Sequence, residues 1–328
     1  MNDTATSQPN QNRPSMTFGP VPSRRLGRSI GINHIPPKTC SYACVYCQVG
    51  LMSRLRAQPQ PFYDVDEVVG AVRRRVEEAR AAGERVDYLT FVPDGEPTLD
   101  AHLGRLIEQV KPLGIPVAVI SNGSLLWRAE VREALWRADW VSVKVDAVWP
   151  DVWRRISRPH GSLRLPTVLE GMLTFARDFD GELATETMLV EGINDGDEHV
   201  AALADFLGQL SPALAYLGIP TRPPIEPWVM PPSEEIVNRT YQKFRARLEQ
   251  VELLIGYEGN AFASSGRPAE DLLSITAVHP MREDAVEALL RKSGADMQTA
   301  RDLVAAGQLV VTRYEGSLFY SRRLKRAT

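Results

Sequence analysis

The sequence predicts an α/β fold, a partial (β/α)6 barrel followed by a small C-terminal winged-helix domain. Three observations carry that prediction. From Ser29 to about Val229, short β-branched runs alternate with longer amphipathic stretches, the pattern of βα units around a parallel sheet. The chain has 328 residues and is 44% hydrophobic, enough for one large core and a second, small one. Beyond about Ile275 the style changes to helix, turn, helix and two strands, which is winged-helix order.

Taken in order, residues 1–16 are polar and rich in Pro, Asn and Gln, with neither an apolar run of signal-peptide length nor a basic amphipathic pattern, and are expected to be a disordered, uncleaved tail. The barrel is assigned to 17–258. Its six strands are SIGINHI from Ser29, VDYLTFV from Val86, PVAVISN from Pro116, WVSVKVD from Trp140, ATETMLV from Ala184 and LAYLGIP from Leu214. The clearest helix spans Asp64 to Ala82. There Val65, Val68, Val69, Val72 and Val76 fall at helical spacing, and Arg73, Arg74, Arg75, Glu77 and Glu78 take the other face. Further helices are expected near Leu99 to Leu113, Ala129 to Ala138, Leu165 to Phe179, Glu198 to Leu210 and, as one long amphipathic stretch, Ser233 to Val251. A Gly/Ser/Pro-rich linker, 259–274, leads to the winged-helix-like segment 275–328, with helices at Arg282 to Lys292 and Met297 to Ala305 and a hairpin turning at Glu315 and Gly316.

The formal net charge of −3 carries no global sign of a nucleic-acid binder, so an anionic partner must be met locally. From Met281 onward nine basic residues face six acidic ones, a net +3 that leaves −6 for the rest. No run of about 18 apolar residues occurs, which argues against a membrane span and for a cytoplasmic protein.

All three cysteines lie in CSYACVYC, as Cys40, Cys44 and Cys47. An odd cluster cannot form a disulfide framework, so metal ligation leads. Three thiolates spaced four and three apart can each bind one iron of a cubane, leaving one iron for an exogenous ligand. A zinc site would need a fourth ligand, for which His34 and His160 are the candidates.

Polar groups then gather at the ends of the later strands, where β/α barrels carry their sites. Lys144, Asp146 and Glu186 are expected to point inward, where an unpaired charge is costly. Lys144 can meet a ligand carboxylate or pair with Asp146 or Glu186. Arg222 suits a carboxylate or phosphate, with an Arg222–Glu226 ion pair as the rival. Arg24, Arg25 and Arg28 precede the first strand and are read either as contacts to an anion or as a solvated basic loop.

Cys-x3-Cys-x2-Cys with Tyr46 before the last cysteine resembles the signature of the radical S-adenosylmethionine (SAM) superfamily. GEPTL after the second strand and ISNGSLLW after the third strengthen the resemblance. PSRRLGRSIGIN, SRPHGS, MLVEGIND and TRPPIEPW are similar to the branch related to wyosine (imidazoguanine-forming) tRNA synthetases, although the further N-terminal cysteines of that branch are missing. The resemblance covers about 17–258. It implies a [4Fe–4S] cluster on the three cysteines and SAM as cofactor, with Gly95, Glu96 and Pro97 at the SAM amino group and Ser121 and Asn122 near SAM. Ser121 and Asn122 can equally be an ordinary turn, with Ser124 as a helix N-cap. The resemblance also implies reductive cleavage of SAM to a 5′-deoxyadenosyl radical, fed by a one-electron donor of flavodoxin or ferredoxin type. The residues do not name the substrate, and an RNA such as tRNA is placed ahead of a peptide or a small molecule. A peptide- or protein-modifying enzyme, an iron–sulfur electron carrier and an iron–sulfur winged-helix redox regulator are the alternatives.

Overall fold

The computed structural model describes residues 15–48, 50, 52, 54–255, 262, 264, 266–277 and 280–323. The expected tail lies outside the described residues except for Ser15 and Met16. Strand β1 (Thr17–Ser23) forms an antiparallel hairpin with β2 (Gly27–Ile32). Two short strands, β3 (Thr39–Cys40) and β4 (Arg54–Leu55), pair with each other outside the main sheet. Next come β5 (Tyr88–Phe91), β6 (Val117–Ser121), β7 (Trp140–Lys144), β8 (Glu182–Met188), β9 (Leu214–Gly218) and β10 (Val251–Leu254). With β1 and β2 they make one eight-stranded sheet in the order β1-β2-β5-β6-β7-β8-β9-β10, parallel from β2 to β10. Each parallel neighbour is the next strand of this sheet in sequence, so the sheet curls steadily into a half-barrel.

The helices α1 (Val65–Ala81), α2 (Leu103–Val110), α3 (Ala129–Leu135), α4 (Pro150–Ser157), α5 (Leu165–Asp178), α6 (Asp197–Leu210) and α7 (Glu234–Arg245) cover the outer face. Val117, Val119, Val141, Val143, Leu183, Ala215 and Leu217 pack against them in the main core. Their sequence neighbours Ala118, Trp140, Ala184 and Tyr216 point to the concave face and close around Leu26 and Leu254, as a strand period of two requires. Leu26, in the β1–β2 turn, therefore plugs the inside of the half-barrel.

All six expected strands are present, and the sheet gains β1 and β10. The stretch from Ser233 to Val251 is not one helix: α7 stops at Arg245 and Val251 opens β10, because the helical apolar spacing ends at Phe244 and Leu248, both buried against the same core. Helix α1 starts as its sequence dictates, with Asp64 Oδ1 accepting from the amides of Asp66 (2.9 Å) and Glu67 (3.1 Å). Removing that cap in Asp64→Ala is expected to cost about 1 kcal/mol, read as a lower urea midpoint with unchanged slope; an unchanged midpoint would refute it.

The C-terminal segment holds α8 (Pro268–Thr276), β11 (Met281–Arg282), α9 (Glu283–Lys292), α10 (Met297–Ala305), β12 (Leu309–Tyr314) and β13 (Ser317–Arg322). Helix α8 begins inside the stretch read as linker, where Pro268 sits in its first turn with Glu270 and Asp271. The three strands form an antiparallel sheet in the order β11-β13-β12. Glu315 and Gly316 both have positive φ (45° and 77°), as a two-residue turn matched to strand twist needs. The small core of this segment, including Leu272, Ile275, Val286, Leu289 and Tyr320, also takes in Phe18 and Val21 of β1. On the opposite side of the half-barrel, the Tyr314 hydroxyl donates to the Pro220 carbonyl just beyond β9 (3.2 Å). Among the described residues no helix is long and apolar enough to cross a membrane.

Candidate active site

The cysteine loop leaves β3 and is held from several sides. Lys38, with φ of 61°, turns the chain into β3; its amide donates to the Asp94 carbonyl (2.8 Å) and its Nζ pairs with the Asp94 carboxylate (3.0 Å). Cys40 O accepts from Arg56 N (2.8 Å) and Cys44 O from Cys47 N (3.0 Å). The amides of Ala43 and Val45 donate to Ser157 O (3.0 Å) and Ile156 O (2.9 Å) at the end of α4, and Cys47 O accepts from Ile225 N (2.9 Å). The three cysteines are free and half-buried. Burial pushes the Cys40 thiol well above its ordinary range, helped by the Glu96 charge, and pushes Cys44 up to about 12, helped by Asp146. Three soft donors carried by one loop suit a cationic centre that would draw off their protons, as iron–sulfur ligation does.

The histidines considered for a zinc site are engaged elsewhere. His34 is fully buried, with Nε2 on Pro97 O (3.2 Å) and its ring edge-on to Phe91, while His160 Nδ1 meets Ser162 Oγ (2.8 Å). Burial lowers His34 to about 4. The unfolded chain, with an ordinary value near 6.5, then binds the proton first, so this contribution to stability is full above about pH 6.5 and declines as pH falls towards 4. The expected loss is about 3 kcal/mol. Asp94 and Asp100, pushed up to about 6 by burial, act in the opposite sense. The His34 contribution is therefore the difference in urea stability between wild type and His34→Gln from pH 7 to 4, and parallel profiles would contradict it.

The GEP turn is joined to the same loop. Gly95 has φ of 154° and forms a parallel bridge with Thr39, so close that a Cβ on Gly95 would lie 1.9 Å from the Thr39 carbonyl oxygen. Pro97 opens a buried helical turn capped by Glu96. Glu96 Oε1 accepts from Thr98 N (3.0 Å), Thr98 Oγ1 (2.6 Å) and Ser121 Oγ (2.7 Å), and Oε2 from Asn122 N (2.7 Å). Burial nonetheless raises its pKa. Asn122 Nδ2 in turn donates to Ser41 Oγ (2.7 Å) and lies 3.7 Å from Cys40 Sγ. One continuous network thus runs from the ends of β5 and β6 to the first cysteine. Ser124 is not a helix cap: α3 starts five residues later, and Ser124 Oγ instead meets Ser41 Oγ (2.6 Å) in the interior.

A second network lines the concave face. Lys144 Nζ bonds Glu186 Oε1 (2.9 Å) and lies 4.9 Å from the Tyr46 ring centroid; the Tyr46 hydroxyl donates to Asp146, whose Oδ1 accepts from Met188 N (2.8 Å). Burial lowers the Lys144 pKa. The other Glu186 oxygen pairs with Arg25, which is carried inside by the β1–β2 turn. Of the three early arginines, Arg25 joins this network and Arg28 pairs with Glu84. That inward turn escaped sequence reasoning, since SRRLGR has the composition of a solvated loop; Leu26 between the basic residues was its only signal. Arg222 reaches Gln48 beside the cysteine loop (3.1 Å), and the expected rival pair is replaced, with Glu226 taken by Arg158 and by Trp228 Nε1 (3.1 Å).

With this geometry in hand, comparison with known proteins is specific. The model of the Radical SAM superfamily matches residues 35–207. A UPF0026 protein of Methanocaldococcus jannaschii is 42% identical over 313 residues, covering 95% of this chain and 97% of that protein. A UPF0026 protein of Synechocystis is 39% identical over 208 residues, 63% of this chain and 76% of that protein. Among solved structures, a radical SAM methyltransferase from Sphaerobacter thermophilus aligns with a TM-score of 0.50 at 18% identity, over 69% of this chain and 66% of that one, a likeness of fold.

Proposed function

The chain belongs to the radical SAM superfamily and is an enzyme, and on that premise we propose that Cys40, Cys44 and Cys47 hold a [4Fe–4S] cluster at which SAM is reductively cleaved to modify a substrate. The observation that carries the reading is the hydrogen-bonded continuity from Cys40 through Asn122 to Glu96 at the C-terminal ends of parallel strands. Cluster and SAM together supply a 5′-deoxyadenosyl radical, able to take hydrogen from unactivated carbon.

The chain's own residues bind and orient. Gly95, without a side chain, lets the turn lie against β3, and Pro97 fixes it. Glu96 keeps a lone pair on Oε2 for the SAM ammonium, with Ser121 and Asn122 holding the carboxylate still. Tyr46 and Asp146 form the wall behind Cys44, and Lys144, Glu186 and Arg25 face the concave space as a charged cluster. Arg222 offers a guanidinium beside Gln48 for a carboxylate or phosphate. These groups give the barrel floor a polar surface for positioning substrate.

An RNA substrate such as tRNA is favoured by the C-terminal segment, which we read as a winged helix: its elements run α-β-α-α-β-β, the part after α8, from Met281 onward, carries net +3, and the segment touches β1 and the end of β9. The reducing cytoplasm suits three such thiols. The test is anaerobic reconstitution followed by iron analysis, EPR with and without SAM, and product analysis after dithionite. About four irons per chain, a signal shifted by SAM, and 5′-deoxyadenosine are expected. Zinc in the site, or a cluster indifferent to SAM, would overturn the reading.

A further inference from the structure

Reductive cleavage of SAM requires an electron to reach the cysteine loop from outside, and the outer surface of that loop has a definite character. The backbone of α4 and its C-terminal turn is bonded directly to it: Ile156 O to Val45 N (2.9 Å), Ser157 O to Ala43 N (3.0 Å), and His160 N to Ser41 O (2.8 Å). From Pro150 to Leu165 this stretch carries Arg154, Arg155, Arg158 and Arg164 against the single acid Asp151, a local excess of +3 in a chain of net −3. All four arginines are exposed. Arg158, in left-handed conformation (φ 43°), ends α4 and sends its guanidinium to Glu226. Arg155 donates to Gly192 O (3.1 Å), and Arg154 is exposed with no partner among the described residues.

Beside these arginines stands an apolar element. Trp228 is 53% exposed and Met230 44% exposed, on the loop whose Glu226 amide donates to Val45 O (3.3 Å). Trp228 shares Glu226 with Arg158, and Met230 O accepts from Glu191 N next to the Gly192 that Arg155 meets; exposed Trp and Met beside arginines, one hydrogen bond from the cysteine loop, have the composition of a protein-recognition surface.

We propose that the face formed by Arg154, Arg155, Arg158, Trp228 and Met230 is the docking site of an acidic one-electron carrier protein. The inference rests on the proposed function, since only a cluster that must be reduced needs such a visitor. Its position is argued from the backbone bonds that put this face directly behind the three cysteines, and the partner's sign from Arg154 and Arg155, whose charges no carboxylate among the described residues pairs, Arg158 being paired with Glu226. Transfer moves one electron from the reduced centre of the carrier to the iron–sulfur centre, with no proton and no leaving group. Complementary charge mainly speeds encounter and fixes orientation, and is screened by salt.

The experiment uses the full-length reconstituted protein with flavodoxin as the probe. Wild type, the double variant Arg154→Glu/Arg155→Glu and a control with the same charge change on the outer face of α1, Arg73→Glu/Arg74→Glu, are compared by calorimetric binding of flavodoxin at low and high salt. SAM cleavage is then driven in parallel by dithionite and by reduced flavodoxin. The expected result is about tenfold or greater weakening of flavodoxin binding in the α4 variant only. Its salt dependence should flatten and its flavodoxin-driven cleavage fall, while dithionite-driven cleavage stays at wild-type rate. Unchanged flavodoxin binding in the α4 variant, or equal loss in the control, overturns the docking site. So does loss of tRNA retention by the α4 variant with flavodoxin binding intact, which would make the face a nucleic-acid surface. Absence of dithionite-driven cleavage in wild type would instead defeat the proposed function.

Discussion

Replacing Cys44 by alanine is expected to leave a folded protein that cannot hold its iron: after reconstitution the content falls from about four irons per chain to below one, and 5′-deoxyadenosine formation drops by more than about 100-fold. The size follows from a comparison. Removing an outer partner of a metal ligand alone costs about 10- to 100-fold. Asn122, whose Nδ2 lies 3.7 Å from Cys40 Sγ, would be such a partner on the proposed ligation, so Asn122→Ala should fall in that range. A first ligand must cost more. The apoprotein should lose little, because the loop is held by backbone bonds to Ile156, Ser157 and Ile225 rather than by the thiols. Its urea stability should remain within about 1 kcal/mol of wild type. Iron analysis and urea unfolding of the same preparation separate the two effects. Full iron content in Cys44→Ala would remove the cysteines from the proposed site.

The parallel strands were legible because each is a short apolar run flanked by turn residues, and the valine stripe of α1 because its period fixes one buried face. The cysteine spacing and GEPTL were legible because few chemistries need those residues at that spacing. What was hidden depends on contacts between segments far apart in sequence. Nothing local to VELL says that it will pair with LAYLG as an eighth strand, and nothing in SRRLGR says that Leu26 will plug the barrel while Arg25 meets Glu186, 161 residues away. The pairing of Glu226 with Arg158 is of the same kind: four residues of spacing favoured Arg222 as its rival partner, but Pro223 and Pro224 hold the loop, Arg222 reaches Gln48, and Glu226 meets an arginine 68 residues away.

The second large effect is expected at Gly95, whose role is purely steric. Its φ of 154° is open to glycine and strained for any L side chain, and a Cβ there would sit 1.9 Å from Thr39 O and 3.1 Å from the end of Ile35. The carbonyl cannot yield cheaply. It accepts the Glu96 amide (3.0 Å) and belongs to the residue before Cys40, so moving it shifts both the carboxylate that caps the GEP turn and the first cysteine. Strained backbone of this kind costs about 1–3 kcal/mol and overpacking a further 1–3 kcal/mol, so Gly95→Ala should destabilise the apoprotein by about 4 kcal/mol. Unlike Cys44→Ala, it should lower the urea midpoint before any iron is added. Iron uptake should fall with it, because the displaced carbonyl drags Cys40 out of the loop geometry. A variant that keeps both its midpoint and its iron would mean that the turn and β3 move apart freely, and the close approach of Gly95 to Thr39 would lose its place in organising the site.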